Sequence, residues 1–346
     1  MSRSRRPRLL TALVAPLALT LAASAAIAQS PASSVAPVAP TRLTVGLGYI
    51  PSVQFAQFYY AQQAGYYADA GLDITFQNQI DPELITLIGQ GAVDIGLGDG
   101  TSVIPARSQG IPVRYAATIY AKFPSVVFTK ASSGITTAAD LKGRSLGTPG
   151  KYGSSWIMLQ ALLSSAGLTP ADLAITLFPD YGQYAAVLND QVDAATGFAN
   201  NEPVQVRLQG QDVTVLTVDD VVPLPGPGLV VGDATLAAKG DALRAFVAAT
   251  LRAMTEITAD PQLGLDATFA LVPDLAADPA TQRAILDATI AGWSDAYTDA
   301  NGLGAIDADA WAKTLDFLAT MPDSPVSPGQ VAVTDLITTD LLPTAP

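Results

Sequence analysis

A β-α-β pattern in residues 43–76 constrains the fold of this chain more than any other feature. Apolar residues alternate with a period of two from Leu43 to Tyr49, which predicts a strand. A helical run and a second strand pattern follow within the same stretch. In an open parallel sheet, ligands bind at the carboxyl ends of the strands. The turn after Tyr49, which carries Gln54 and Phe55, is therefore where we expect a ligand pocket to begin.

Strand and helix patterns alternate along most of the remaining chain. This alternation predicts an α/β protein with largely parallel sheets. From residue 242 onward, long helical patterns dominate. About 300 residues follow the N-terminal segment, which is enough for one large domain or two of ordinary size.

The composition favours a binding protein over an enzyme. The chain has no histidine and no cysteine. The absence of histidine excludes Ser-His-Asp hydrolysis and histidine-based acid–base catalysis. Without thiols as well, zinc and iron–sulfur sites are not expected. We therefore predict no enzymatic activity, no cofactor and no metal site.

The first 28 residues have the features of an export signal. Four arginines precede an apolar run, and the small residues Ala26 and Ala28 form a cleavage pattern. Cleavage predicts a periplasmic or extracytoplasmic protein. A retained membrane anchor stays open as the alternative, because the apolar run approaches the ~18–20 residues that span a bilayer. Residues 29–41 are rich in proline, alanine and serine and predict a disordered linker.

The charge of the chain bears on its partners. Loss of residues 1–28 would change the net charge from −13 to −17, because this segment holds four arginines and no acid. Such acidity disfavours binding to nucleic acid or to anionic membrane surfaces.

A weak internal repeat predicts two similar halves. Val93-Asp94 recurs in form as Val192-Asp193, and each pair lies between the end of a predicted helix and a predicted strand. Under this interpretation each of the two strands is followed by a loop, one beginning near Asp99 and the other near Asn200. These two loops face each other across a cleft. The alternative is that Val-Asp is simply a common dipeptide in α/β proteins.

The sequence around the first turn resembles a known family. Residues 48–56, which contain Tyr49, Pro51, Gln54 and Phe55, are similar to the opening of the solute-binding proteins of ABC importers. More narrowly, the chain resembles the NMT1/THI5-like family, whose members carry thiamin-precursor pyrimidines, sulfonates or riboflavin. The riboflavin-binding branch is the most similar.

This resemblance implies a type II periplasmic-binding-protein fold. Two lobes of mainly parallel sheet, flanked by helices, are joined by a hinge of two chain crossings. Carried onto this chain, lobe one is residues 42–129 plus 227–346, and lobe two is residues 130–226. The crossings are expected near residues 129–132 and 223–227.

Ligand contacts are expected from strand ends and helix starts in both lobes, because an aromatic solute needs flat walls and a few fixed polar groups. For Phe55 the alternative is a position in the hydrophobic core, because its spacing from the neighbouring apolar residues is helical. An ordinary capped helix start is the alternative for the glycine-rich segment 149–155, and a first-turn acid stabilised by the helix dipole is the alternative for Glu202. The candidates are Tyr49, Gln54, Phe55, Asp99, Thr101 and Tyr120 in lobe one, and Tyr152, Gly153, Ser154, Phe198, Asn200 and Glu202 in lobe two.

The family further implies a monomeric component of an ABC importer, with a permease and an ATPase as partners. The favoured ligand is riboflavin or a related heterocycle. Alternatives are a thiamin-precursor pyrimidine and an alkanesulfonate or taurine. Two other classes are a pyrimidine synthase, which the missing histidine and cysteine disfavour, and a periplasmic sensor protein on the same fold.

Overall fold

The computed structural model describes residues 39–81, 83–219, 221–321, 324 and 326–343. The predicted export signal (residues 1–28) and most of the predicted linker (residues 29–41) lie outside the described residues. Within the described part of the chain, no helix combines the length and the apolar character that a membrane crossing requires.

The described residues form ten strands and thirteen α-helices. The strands are β1 (Thr41–Leu47), β2 (Leu72–Asn78), β3 (Ile95–Asp99), β4 (Val113–Thr118), β5 (Ser125–Lys130), β6 (Ser145–Thr148), β7 (Ala174–Leu177), β8 (Ala194–Phe198), β9 (Val213–Leu216) and β10 (Pro227–Gly232). The helices are α1 (Ala56–Gln63), α2 (Tyr66–Asp69), α3 (Glu83–Gly89), α4 (Gly100–Ser108), α5 (Gly153–Ser165), α6 (Gln183–Leu188), α7 (Glu202–Leu208), α8 (Asp233–Ala259), α9 (Pro261–Leu271), α10 (Pro279–Ile290), α11 (Ala296–Asn301), α12 (Ala308–Thr320) and α13 (Val333–Leu336).

The strands form two five-stranded sheets of the same design. Their orders are β2-β1-β3-β10-β4 and β7-β6-β8-β5-β9. In each sheet the first three strands pair in parallel, and the fourth strand, β10 or β5, runs antiparallel to its neighbours. Four of the five strands in each sheet therefore point the same way. The predicted β-α-β unit and the α/β fold with mostly parallel strands are confirmed.

The reversed strands mark where the chain passes between the sheets. The first sheet holds the strands up to Thr118, and the next strand, β5, pairs with β8 and β9 in the second sheet. The first passage is therefore within residues 119–124, several residues before the expected crossing at 129–132. The chain returns through residues 217–226, directly before β10. The lobe boundaries as a whole stay a prediction.

The two Val-Asp pairs of the internal repeat have the same structural role. Asp94 Oδ2 accepts the backbone N–H of Thr44 at 2.9 Å, and Asp193 Oδ2 accepts the backbone N–H of Ser145 at 2.8 Å. Each aspartate directly precedes the central strand of its sheet and binds the neighbouring parallel strand, in the middle of β1 and at the start of β6. The repeat is therefore structural, and these bonds fix the register of β1 against β3 and of β6 against β8.

The aromatic residues of α1 and α2 pack mostly into the core. The Phe58 ring stacks on Phe246 of α8 with centroids 6.2 Å apart, and Tyr67 stacks on the same ring at 5.0 Å. Phe58 is fully buried. This layer of helices covers one face of the first sheet and holds the turn after β1 in place.

The role of the paired aspartates can be tested by removing one. Asp94→Ala takes away the acceptor of the Thr44 N–H and the partner of Lys239, whose Nζ lies 2.8 Å from Asp94 Oδ1. We expect the free energy of unfolding to fall by about 1–3 kcal/mol, because a partly buried donor loses its partner. Urea unfolding measures this loss.

Asp73→Ala is the matched control. Asp73 forms an ion pair with Arg42 in which both side chains are largely exposed, and such pairs contribute roughly 0–1 kcal/mol. Equal losses in the two variants would contradict a special role for Asp94.

Candidate ligand-binding site

A cavity of about 110 Å3 lies where strand ends of the two sheets meet. Tyr49 follows β1, Asp99 ends β3, Phe198 ends β8 and Pro227 begins the reversed strand β10, and all of them line the cavity. Parallel strands bring their carboxyl ends to one edge of a sheet, and a ligand site is expected at that edge. Each sheet contributes part of this wall.

The structure gathers most of the predicted site residues around this cavity. Residues predicted from sequence that line it are Tyr49, Gln54, Phe55, Asp99, Tyr120, Tyr152, Gly153, Ser154, Phe198 and Glu202. Their contact with a ligand stays a prediction.

Thr101 and Asn200 are not among the lining residues. The strand β3 extends to Asp99, which pairs with Pro227 of β10. Thr101 therefore lies inside the first turn of α4, fully buried. Asn200 donates through Nδ2 to Gln54 Oε1 at 3.0 Å and to Thr289 Oγ1 at 2.8 Å. Its amide joins the loop after β8 to the opposite side of the cleft.

Aromatic rings form much of the cavity wall. Tyr49 meets Tyr181 edge to face, with ring centroids 4.9 Å apart, so the two sheets are in aromatic contact across the cleft. Phe55 is 4% exposed and still lines the cavity, so it serves both the core and the wall. Flat rings of this kind suit an aromatic ligand, which they contact by stacking or by edge-to-face packing.

The glycine-rich turn before α5 positions another ring. A Cβ atom at Gly150 would lie 2.1 Å from Cε1 of Tyr152, so only glycine lets the tyrosine ring lie against this turn. Tyr152 is 40% exposed, an unusual exposure for a large apolar ring in this protein. Its ring is therefore available to a ligand at the cavity mouth.

Three carboxylic acids give the cavity its electrostatic character. Burial raises the pKa of Glu202 to about 7, although the backbone N–H of Phe198, 2.8 Å from Oε2, lowers it. Burial also raises the pKa of Asp81 well above its usual range, and the neighbouring Asp99 adds to this rise. No lysine, arginine or histidine is among the described residues that line the cavity. Nor are three or more acidic groups in the described chain arranged to hold a metal ion.

Two buried side-chain oxygen atoms at the cavity have no hydrogen-bond partner among the described residues. They are Asp81 Oδ1 and Gln183 Oε1. Asp81 is 7% exposed and Gln183 is fully buried, and both line the cavity. A buried polar atom without a hydrogen bond costs about 1–3 kcal/mol. Gln183 Oε1, an amide oxygen, is therefore suited to a ligand that presents an N–H or O–H group.

Sequence reasoning missed several lining residues, above all Asp81, Tyr181 and Gln183. Asp81 lies in the loop after β2, which carries no motif. The backbone φ of Tyr181 is 60°, a value that is rare outside glycine. Such a conformation persists only where the surrounding structure imposes it. The sequence Asp180-Tyr181-Gly182 is typical of a turn. No local pattern indicates where the Tyr181 side chain lies.

The shifted pKa of Glu202 predicts a pH-dependent stability. Its pKa rises from 4.5 to about 7 on folding, so the unfolded chain releases this proton first as the pH rises. The free energy of unfolding should therefore fall by up to about 3 kcal/mol as the pH rises from 4.5 to 7. Above pH 7 the contribution of Glu202 should stay constant. Glu202→Gln should remove that slope, which urea unfolding across this pH range measures. Glu83→Gln, at an exposed acid, should leave it unchanged, and an unaltered slope in Glu202→Gln would contradict the assignment.

Comparison with known proteins agrees with this architecture. The family model described as NMT1/THI5 like matches residues 52–263. The riboflavin-binding protein RibY of Chloroflexus aurantiacus is 33% identical over 337 residues, which cover 95% of this chain and 94% of RibY. The 4-amino-5-hydroxymethyl-2-methylpyrimidine phosphate synthase THI11 of Saccharomyces cerevisiae is 27% identical over 64% of this chain and 68% of that protein.

Among solved structures, the alkanesulfonate-binding protein SsuA of Xanthomonas axonopodis pv. citri, bound to MOPS, has a TM-score of 0.68. The two sequences are 17% identical, and the match covers 87% of this chain and 99% of the SsuA chain. This similarity supports the fold alone. Taken together, the two sheets, the family match and the relative aligned along nearly its whole length identify the chain as a member of the NMT1/THI5-like family with the periplasmic-binding-protein fold.

Proposed function

We propose that this protein is an extracytoplasmic solute-binding protein of an ABC importer, and that its ligand is riboflavin. The observation that carries the proposal is the cavity itself, which combines aromatic walls with buried hydrogen-bond acceptors and has no basic residue among the described lining residues. The RibY relative, named as a riboflavin-binding protein and similar along nearly its whole length, supports the same ligand.

The aromatic wall fits the flat ring system of riboflavin. Tyr49 and Tyr181 lie on opposite sides of the cleft, and Tyr152 and Phe198 line the same cavity from the second sheet. An isoalloxazine ring is large, planar and uncharged, so it gains from burial and from ring contacts of about 0.5–1.5 kcal/mol each. Separation of Tyr49 from Tyr181 would open the space for such a ring.

The polar atoms of the cavity fit the hydrogen-bond donors of riboflavin. Its ring system has one imide N–H and its ribityl chain has four hydroxyl groups. Gln183 Oε1, a buried acceptor without a partner among the described residues, needs a donor of this kind. Glu202 and Asp99 add carboxylate oxygens to the same lining. A ligand rich in donors and free of charge is therefore matched better than an anion.

The fold supports closure of two lobes around the ligand. Two passages of the chain, through residues 119–124 and 217–226, connect the sheets. Bonds across the cleft, such as Asn200 Nδ2 to Gln54 Oε1, describe a closed arrangement. We infer that the lobes open by rotation about these two passages and close on the ligand, which is the hinge motion of two-lobed binding proteins. Lobe one then corresponds to the first sheet with the C-terminal helices, and lobe two to the second sheet.

Location and partners follow from this proposal. An importer of this type consists of the binding protein, a membrane permease and an ATPase, and the binding protein acts outside the cytoplasm. The predicted export signal supports that location, and a monomer is sufficient for delivery to a permease.

The runner-up ligands fit the cavity less well. A sulfonate needs cationic partners, and the one lysine of the glycine-rich turn, Lys151, has its Nζ 5.6 Å from the centre of the Trp156 ring rather than lining the cavity. A thiamin-precursor pyrimidine would fill less of the aromatic wall. Synthase activity like that of the yeast relatives is disfavoured because the chain has neither histidine nor cysteine.

Titration with riboflavin tests the ligand. We expect saturable quenching of flavin fluorescence, with affinity lowered about tenfold, or ~1.4 kcal/mol, in Tyr152→Ala and in Tyr49→Ala, because each loses one ring contact. Tyr66→Ala, at a tyrosine outside the cavity, should bind as the wild type does. A protein that leaves flavin fluorescence unchanged but is stabilised by a pyrimidine or a sulfonate would overturn riboflavin and keep solute binding.

A further inference from the structure

The helix α5 begins at the cavity without a capping side chain of its own. Its first residues, Gly153 and Ser154, line the cavity, and the N-cap residue Tyr152 makes no side-chain hydrogen bond to the helix. The first N–H groups of a helix have no partner within it and carry partial positive charge, so they attract anions. The start of α5, a helix of 13 residues, therefore needs an acceptor from elsewhere.

That acceptor is a carboxylate from the opposite sheet. Asp99 Oδ2 accepts the backbone N–H of Ser154 at 3.1 Å. Asp99 is itself the N-cap residue of α4, yet its side chain makes no capping bond to that helix. An aspartate at this position ordinarily accepts an N–H of its own helix. Here the carboxylate extends across the cleft to α5 instead.

Asp99 is the charged member of its buried pair with Asp81. Burial raises the pKa of Asp81 well above its usual range, and the charge of Asp99 raises it further. Burial also raises the pKa of Asp99, but hydrogen bonds from Ser154 act in the opposite direction. The pair therefore keeps its proton on Asp81, and the negative charge stays on Asp99 beside α5.

The rest of the cavity offers acceptors and no counter-charge for an anion. Gln183 Oε1 is a buried acceptor without a partner among the described residues, and Glu202 is a third acid in the lining. The described lining residues include no lysine or arginine. The start of α5 is thus a position in this cavity that would suit a ligand anion, and Asp99 already occupies it.

We propose that Asp99 is a specificity-determining residue, whose carboxylate holds the anion position at the start of α5 and so excludes ligands that carry a phosphate, sulfonate or carboxylate group. This inference rests on the proposed function in that the cavity binds a solute, and it narrows the solute to neutral, donor-rich heterocycles. A ligand anion would have to displace Asp99 from α5 and would then lie beside the displaced carboxylate. Both effects oppose its binding.

Riboflavin and riboflavin 5′-phosphate form the first test, because they differ by one phosphate group. We expect the wild type to bind the phosphate ester at least about tenfold more weakly, a difference of ~1.4 kcal/mol. Asp99→Ala should reduce this ratio to about threefold or less, or ~0.7 kcal/mol, because the start of α5 becomes free for the phosphate.

A matched variant separates the position of the charge from its mere presence. Asp180 is an exposed acid near the cavity that contacts Gly182 and does not line the cavity. Asp180→Ala removes one negative charge and leaves α5 untouched, so the wild-type ratio should persist. Equal reduction of the ratio in both variants, or no reduction in Asp99→Ala, would overturn the proposal.

Inorganic sulfate provides a second test that does not depend on riboflavin. Low-millimolar sulfate should raise the melting temperature of Asp99→Ala in a saturable way. The wild type and Asp180→Ala should show only the same small, non-specific effect of salt on the melting temperature. A saturable shift in the wild type, or none in Asp99→Ala, would contradict the role of Asp99. If flavin fails to bind while sulfate behaves as expected, the riboflavin assignment falls and the anion exclusion stands.

Asp99→Asn covers the case in which Asp99→Ala does not fold. The amide keeps an oxygen for the Ser154 N–H and removes the charge, so its ratio of affinities should fall between those of the wild type and Asp99→Ala. A ratio equal to that of the wild type would show that charge at this position does not decide specificity.

Discussion

Asp94 and Asp193 each accept a backbone N–H from β1 or β6, the strand that runs parallel to the central strand of their sheet, and the position of the ligand cavity depends on these two bonds. Each bond sets the start of a central strand against its parallel neighbour. Because the two strands run on in register from this bond, it also fixes where their carboxyl ends meet. The side chains after β1, β3, β6 and β8 converge on one cavity for this reason. The same bond in both sheets gives the two halves of the protein equivalent edges.

The cavity concentrates acidic groups that are costly to bury. The fold limits this cost in different ways: Glu202 accepts two hydrogen bonds, from Phe198 N and Gln183 Nε2, while Asp81 keeps its proton. Asp99 keeps its charge because α5 stabilises it. The arrangement leaves the acceptor Gln183 Oε1 without a partner at the cavity and no cation among its described lining. Under the proposed function, this character favours neutral molecules that donate hydrogen bonds.

The contacts between the two halves at the cavity are polar or aromatic, whereas apolar residues of both halves also pack together in one core cluster. Tyr49 meets Tyr181, Gln54 meets Asn200, and Asp99 meets Ser154. A net hydrogen bond contributes about 0.5–1.5 kcal/mol, so the two hydrogen bonds at the cavity add only modestly to the stability of this arrangement. A ligand that replaces some of them with its own contacts can then shift the population of open and closed forms. In the proposed function, the residues that meet across the cleft also contact the ligand, so binding and closure are linked.

The sequence alone determined the local elements and the strand ends at which the cavity lies. The alternation around Leu43 predicts β1, the turn after it predicts Tyr49, Gln54 and Phe55 at a strand end, and the Val-Asp repeat predicts two related halves. These predictions depend on periods and turn residues within a few positions of one another. The tertiary structure decided which partners meet over long distances in the chain: that Asp81 lies beside Asp99, that Tyr181 faces Tyr49, and that Asn200 binds Gln54 instead of lining the cavity. It also decided that β5 joins the second sheet and that Asp99 reaches α5. Pairings of this kind follow from strand register and from the packing of two sheets, which no short pattern in the sequence encodes.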